Sequence, residues 1–258
     1  MQKTAQISII DDIAIAVRSR ISNNNNIHLM WCGGYRTSML SGKASAIDTY
    51  AESKDLSYLR WDYAGHGESA GDFFQQNFSS WLEQAYQLYK TNISAPLLLI
   101  GSSLGGWISL CLAQKLIKEG RKIAGILLIA PAIDFTTRLL LPSLSEKDQD
   151  TLNQQGFILY GNPWNFMMPF TKNFIEDSKK HLLLTKNLQF QCPIHIIHGL
   201  KDEIIPFSHI EYCLSHLPRD NVTVTTIADG DHRLSRPEDL SKIIRILDNM
   251  VIENAVFS

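Results

Sequence analysis

Six short aliphatic runs, each closing on glycine or another small residue, constrain this chain more than any other feature. They are "IHLMWCGG" (27–34), "LSYLRWDYAG" (56–65), "PLLLIGS" (96–102), "IAGILLIAPA" (123–132), "CPIHIIHG" (192–199) and "NVTVTTIADG" (221–230). Most are near-continuous apolar runs, the pattern of strands covered on both faces rather than one. Segments of helical period separate them, at Lys43–Lys54, Phe78–Tyr89, Leu104–Lys118, Pro206–Leu217 and Pro237–Ile252. Ser235 stands as a helix cap ahead of the last, with acidic residues in the first turn. Strand–helix alternation with short links predicts an α/β fold, a mostly parallel sheet with helices on both faces. The N-terminal "ISIIDDIAIAV" reads as two more short strands around a turn, and "NNNN" (23–26) as a turn between strands.

The rhythm breaks once. From Ile133 to Gln191 no segment reads as a strand of the sheet. A charged helical stretch, the aromatic- and proline-rich "YGNPWNFMMPF" and a second helical stretch occupy it instead. The expected organisation is one core made of 1–132 and 192–258, interrupted by a helical lid over 133–191. A chain of 258 residues, 45% hydrophobic and 19% charged, suits such a domain. Lys and Arg number 24 against 26 Asp and Glu, so no basic surface argues for nucleic acid or an anionic membrane.

One strand–helix junction carries chemistry. "PLLLIGSSLGGWISL" (96–110) holds G-x-S-x-G centred on Ser103, with Gly101 and Gly105 two residues to either side; around Ser102 the same positions are Ile100 and Leu104. A sharp strand–turn–helix needs small residues there, because the strand end and the helix start almost touch. The serine gains an exposed hydroxyl at the carboxyl edge of the sheet and at a helix N-terminus, where negative charge is favoured. The plainer alternative is a glycine-rich packing turn.

A nucleophilic serine needs a base and a carboxylate to orient that base. Asp202 follows the strand in "PIHIIHGLKDEIIP", and His232 follows the last strand in "TVTTIADGDHRLS", in the order serine, acid, histidine. Glu203 is the lesser rival to Asp202, and Asp229 and Asp231 are expected to shape the His232 turn. His195 and His198 lie in an apolar strand, where core or loop-support roles fit better. Their HxxH spacing sends the rings to opposite faces and excludes a shared zinc. His209 and His216 are expected on a helix surface. Oxyanion donors are the N–H of Leu104, next to the serine, and of Tyr35, in the loop opened by Gly33–Gly34 of "WCGGYRTS".

Together "GSSLGG", "DYAGHGES", "HGLKDEIIP" and "GDHRLS" resemble the α/β-hydrolase superfamily over residues 27–250. More narrowly, "CGGYRTSMLSGKA", "RWDYAGHGESAGD", "GSSLGGW" and "DHRL" are similar to the mitochondrial palmitoyl-protein thioesterase and acyl-glucuronide esterase type. The resemblance implies an eight-stranded sheet with a compact lid, a Ser103–His232–Asp202 triad and oxyanion donors at Tyr35 and Leu104. It makes "DYAGHGES" (Asp62, Gly65, His66, Gly67, Ser69) a supporting loop beside the site. The chain departs from many relatives in carrying Gly-Gly before the oxyanion residue.

The expected activity is hydrolysis of carboxylic esters or acyl thioesters through an acyl-enzyme, with no metal or organic cofactor. Met167, Met168, Phe166, Phe170 and Trp164 either line an acyl pocket or pin the lid to the core. The alternatives on the same scaffold are C–C bond hydrolysis, perhydrolase-type esterase chemistry and a non-catalytic ligand-binding role. The four scattered cysteines (32, 111, 192, 213) read as reduced, packed thiols, with Cys32 alone close to a functional loop. No stretch is long and apolar enough to span a membrane, and Asp11 and Asp12 interrupt any signal-like core, so the cytoplasm is the expected location.

Overall fold

The structure, a computed structural model, describes residues 5–22, 27–161 and 167–256; the expected turn at 23–26 and the side chains of Trp164 and Phe166 lie outside these. The described residues form strands β1 (Gln6–Ile10), β2 (Ile13–Arg20), β3 (His28–Cys32), β4 (Ser57–Trp61), β5 (Leu97–Ser102), β6 (Ile123–Ile129), β7 (Phe157–Gly161), β8 (Met167–Thr171), β9 (Ile194–Gly199) and β10 (Val222–Ile227). The α-helices are α1 (Gly42–Ser53), α2 (Phe78–Asn92), α3 (Leu104–Lys118), α4 (Leu141–Ser143), α5 (Glu146–Gln155), α6 (Lys172–Ser178), α7 (Phe207–Leu214) and α8 (Pro237–Val256).

Among the described residues, eight strands make one sheet in the order β1-β2-β4-β3-β5-β6-β9-β10. Only β2 runs against its neighbours; from β4 to β10 every pair is parallel. The uninterrupted apolar runs are explained by their two covers. Leu97 and Leu99 of β5, with Ile126 and Leu128 of β6, meet α2, α3 and the 133–191 segment. Leu98, Ile100, Leu127 and Ile129 point the other way, onto Ala44 and Ile47 of α1 and Ile243, Leu247 and Met250 of α8. Alternate residues of one strand therefore feed two cores, and no position can be polar without cost.

The 133–191 segment differs from the expected all-helical lid. Besides its helices it carries a separate antiparallel ribbon, β7 paired with β8 from Phe157↔Thr171 to Gly161↔Met167. Ile158 and Phe170 pair on the face buried against the core, whereas Phe157, Leu159 and Met167 share the other face. Of the aromatic–proline stretch, Tyr160 and Gly161 end β7 and Met167 to Phe170 lie in β8, and the ribbon adds no strand to the main sheet. Asp134 closes the neck of the segment: its carboxylate accepts the N–H of Leu183 at 3.0 Å and of Leu184 at 2.7 Å.

Two local expectations need correction. Ser235 does not cap α8, because its Oγ donates to the Arg233 carbonyl instead; the first turn is closed by Asp239, whose Oδ2 accepts the Arg236 N–H. His209 is buried, not on the surface, with its Nε2 bonded to the Ile133 carbonyl at 2.8 Å. The helix-period reading of 206–217 located α7 correctly but could not say that the 133–191 segment would cover its His209 face. His216 is half-buried against the Tyr212 ring.

Candidate active site

The carboxyl ends of β3, β5, β9 and β10 converge on one edge of the sheet, and the expected site residues gather there. Ser103 follows β5 with φ 54° and ψ −120°, a conformation strained for any residue with a Cβ. Its own N–H is held by the Ile129 carbonyl at 2.9 Å, and its carbonyl accepts from Gly106 and Ala132. The flanking glycines are sterically required. A Cβ at Gly101 would lie 2.4 Å from the Gly105 oxygen, and one at Gly105 would lie 2.0 Å from the Cys32 oxygen. The turn is this tight because α3 starts directly against the ends of β3 and β5. Ser102, by contrast, is the buried last residue of β5.

His232 Nε2 stands 3.0 Å from Ser103 Oγ, and His232 Nδ1 stands 2.7 Å from Asp202 Oδ2. The other Asp202 oxygen accepts the N–H of Ile204 at 2.9 Å and of Ile205 at 2.8 Å. The carboxylate is buried, with one oxygen accepting from two backbone N–H groups and the other against the imidazole, so neither oxygen is left facing apolar surroundings alone. Exposure separates the rivals. Glu203 faces solvent next to buried Asp202. Asp231 Oδ1 accepts the N–H of Arg233 and Leu234, and Asp229 pairs with Arg236, so both shape the turn.

Leu104 opens α3, and its N–H is one of those left without an intrahelical acceptor. The loop after β3 presses on the serine from the other side: a Cβ at Gly34 would stand 3.4 Å from Ser103 Cβ and 3.3 Å from the Ser102 oxygen. Tyr35, the next residue, therefore has its backbone beside Ser103. Its ring is buried among Phe73, Trp81, Phe170 and Phe174, and its hydroxyl donates to the Pro169 carbonyl at 2.6 Å.

The "DYAGHGES" loop braces this arrangement. Asp62 accepts the N–H of Met39 and of Glu68, and His66 Nε2 accepts the Arg36 N–H at 3.0 Å. Burial lowers the His66 pKa to about 4, which keeps that nitrogen an acceptor at neutral pH. His198 Nε2 bonds the Ile205 carbonyl at 2.9 Å, supporting the Asp202 loop, while His195 turns to Thr225. Cys32 is buried and its thiol is pushed up to about 12 by burial, which makes it unreactive despite its place beside the loop. Phe170 stacks on Tyr35 and joins the 133–191 segment to the core, whereas Met167 faces solvent rather than an interior pocket. The described residues hold no group of three or more metal-ligating side chains and no helix long and apolar enough to cross a membrane.

An eight-stranded, mostly parallel sheet with a serine on a strained strand–helix turn, facing a histidine from the last strand, defines an α/β-hydrolase, and this chain belongs to that family. The family profile described as serine aminopeptidase, S33 matches residues 38–155. A putative hydrolase from Agrobacterium vitis is 33% identical, with a TM-score of 0.91 over 96% of this chain and 99% of that one. The mouse mitochondrial palmitoyl-protein thioesterase ABHD10 is 27% identical over 226 residues, covering 86% of this chain and 74% of its own. The structure of mouse ABHD10 superposes with a TM-score of 0.86 at 24% identity, over 97% of this chain and 99% of that one.

Proposed function

We propose that this protein hydrolyses carboxylic esters or acyl thioesters with Ser103 as nucleophile, His232 as general base and acid, and Asp202 as the residue that orients His232. The observation that carries the reading is the unbroken contact series Ser103 Oγ, His232 Nε2, His232 Nδ1, Asp202 Oδ2 at 3.0 and 2.7 Å, built on a strained turn. His232 Nε2 takes the hydroxyl proton as Ser103 Oγ attacks the acyl carbonyl. Asp202 stabilises the imidazolium and fixes its tautomer without taking the proton. The N–H groups of Leu104 and Tyr35 receive the developing oxyanion. His232 then gives the proton to the departing alcohol or thiol, and the same histidine activates water to release the acyl group from Ser103.

Residues 133–191 serve in this reading as a lid over the acyl side, supported by the aromatic packing of Phe135, Phe170 and Phe174 around Tyr35. An acyl thioester is the favoured substrate class because the curated relatives that match most of the chain are named palmitoyl-protein thioesterases. The triad itself serves oxygen esters and thioesters alike. For location we keep the cytoplasm as the expectation; the relatives are named mitochondrial, and imaging of a tagged chain in its own cells separates the two.

A fluorophosphonate tests the reading directly. One adduct per chain, mapped to Ser103 and absent from Ser103→Ala, is the expected result. A matched series of oxygen esters and thioesters of rising acyl length then sets the substrate. Failure to label where a known serine hydrolase labels would remove the enzyme reading in this form.

A further inference from the structure

The loop that presents His232 is strained and is held from outside by a long-range cation, Lys43. Leu234, two residues past His232, is buried in a left-handed conformation with φ 44°. From within the loop, Asp231 Oδ1 accepts the N–H of Arg233 at 3.0 Å and of Leu234 at 3.1 Å. From outside, Lys43 Nζ donates to the carbonyl oxygen of Arg233, the residue next to His232, and Ser235 Oγ donates to the same oxygen at 2.9 Å. Ser235 is local and moves with the loop, so it cannot fix the loop relative to the sheet. Lys43 can, because it sits in the first turn of α1.

That helix begins where the oxyanion loop ends. Its residues Ala44 and Ile47 are buried against the sheet, so α1 is a rigid mount. The chain therefore runs from Gly34 beside Ser103, through Tyr35 and Arg36, into a helix whose lysine reaches across to the histidine loop. We infer that Lys43 is a positioning residue for His232, referencing the general base to the oxyanion side of the same site; this rests on the triad reading above. A reacting group displaced by about 1 Å loses on the order of 100-fold in rate, so one anchor on the base loop is enough to matter.

The groups facing the ammonium support the assignment. Asp231 on the loop and Asp239 on α8 attract it and Arg233 repels it, while Asp239 is also engaged by Arg236. Burial outweighs the carboxylates and brings the Lys43 pKa down to about 8. A charge-assisted donor to a carbonyl is roughly twice as strong as a neutral one, so the anchor weakens as the ammonium loses its proton.

The test uses the full chain and its Lys43→Met, Lys43→Arg and Lys43→Gln variants. It measures the rate of fluorophosphonate labelling at Ser103, and kcat and KM for p-nitrophenyl butyrate between pH 6 and 9.5. Lys43→Met is expected to lower the labelling rate and kcat together by about 10- to 100-fold, with KM within about twofold. Lys43→Arg should restore most of the loss. The wild type should show an alkaline decline through about pH 8 that Lys43→Met lacks. If Lys43→Met does not fold, Lys43→Gln, whose amide is uncharged and ends one bond short of the lysine ammonium, breaks the same anchor and carries the same comparison. A folded Lys43→Met or Lys43→Gln that labels at the wild-type rate overturns the inference alone. A wild type that takes no label overturns the triad reading and this inference with it.

Discussion

The Tyr35 hydroxyl donates to the Pro169 carbonyl at 2.6 Å, so the loop carrying one proposed oxyanion donor is tied directly to the ribbon of the 133–191 segment. The bond is buried, and the Tyr35 ring also stacks on Phe170 at 4.9 Å. Tyr35→Phe keeps the backbone N–H and the ring but leaves a buried carbonyl unpaired. A loss of about 1–3 kcal/mol in urea unfolding is expected. Because the oxyanion donor is a backbone group, kcat for a short ester should fall less than tenfold, and the change should grow with acyl length. A collapse of activity on acetate esters would instead mean that the hydroxyl itself acts in the chemistry.

The strain at Ser103 gives a stability prediction separate from activity. With φ at 54°, both serine and alanine are held in an unfavourable backbone conformation there, and glycine is not. Ser103→Gly should therefore unfold at higher urea than Ser103→Ala, by about 1 kcal/mol after the glycine entropy cost. Both should be inactive toward esters. Equal midpoints would argue that the turn is relaxed rather than strained.

Gly105→Ala tests the close approach of α3 to β3. The added methyl would sit 2.0 Å from the Cys32 carbonyl oxygen, main chain rather than a movable side chain. Either α3 retreats or β3 shifts, and both displace the serine. A loss of several kcal/mol, or no soluble protein, is expected, with labelling at Ser103 reduced at least about 100-fold in whatever folds. Gly156→Ala is a useful control: it too removes a glycine, but nothing lies within 4 Å of the added carbon. Its φ of 78° should cost about 1–2 kcal/mol and leave labelling unchanged.

The main sheet was legible because its strands are buried on both faces, and continuous aliphatic runs such as 96–102 and 123–132 leave few other readings. The serine, histidine and aspartate were legible because each follows a strand end and the three come in a fixed order. What escaped lies in contacts between distant segments. Nothing local marks Lys43 as reaching Arg233, 190 residues away, or His209 as roofed by the start of the 133–191 segment. The β7–β8 ribbon escaped for another reason. Its second strand, "MMPFT", contains proline and shows no alternation, since both of its faces are largely apolar.

Among the histidines whose pKa burial lowers, the two most strongly held neutral predict how stability falls in acid. His66 and His209 each have a folded pKa of about 4 against 6.5 for an unperturbed imidazole, with burial as the main cause. The unfolded chain therefore takes up a proton at each site below pH 6.5, while the folded chain does not until about pH 4. More protons on the unfolded state means that stability decreases as pH falls through this window. Each histidine contributes roughly 2–4 kcal/mol to that loss by pH 4. Below about pH 4 the folded form also protonates and these two sites add no further slope. The consequence at His66 reaches the site, because a protonated ring cannot accept the Arg36 N–H next to Tyr35. Urea midpoints taken at pH 7, 5.5 and 4.5 should drop steadily for the wild type. The drop should be shallower for His66→Gln and for His209→Gln. Parallel curves for wild type and both variants would mean that other groups govern the acid limb, and that the His66–Arg36 bond is not what gives way.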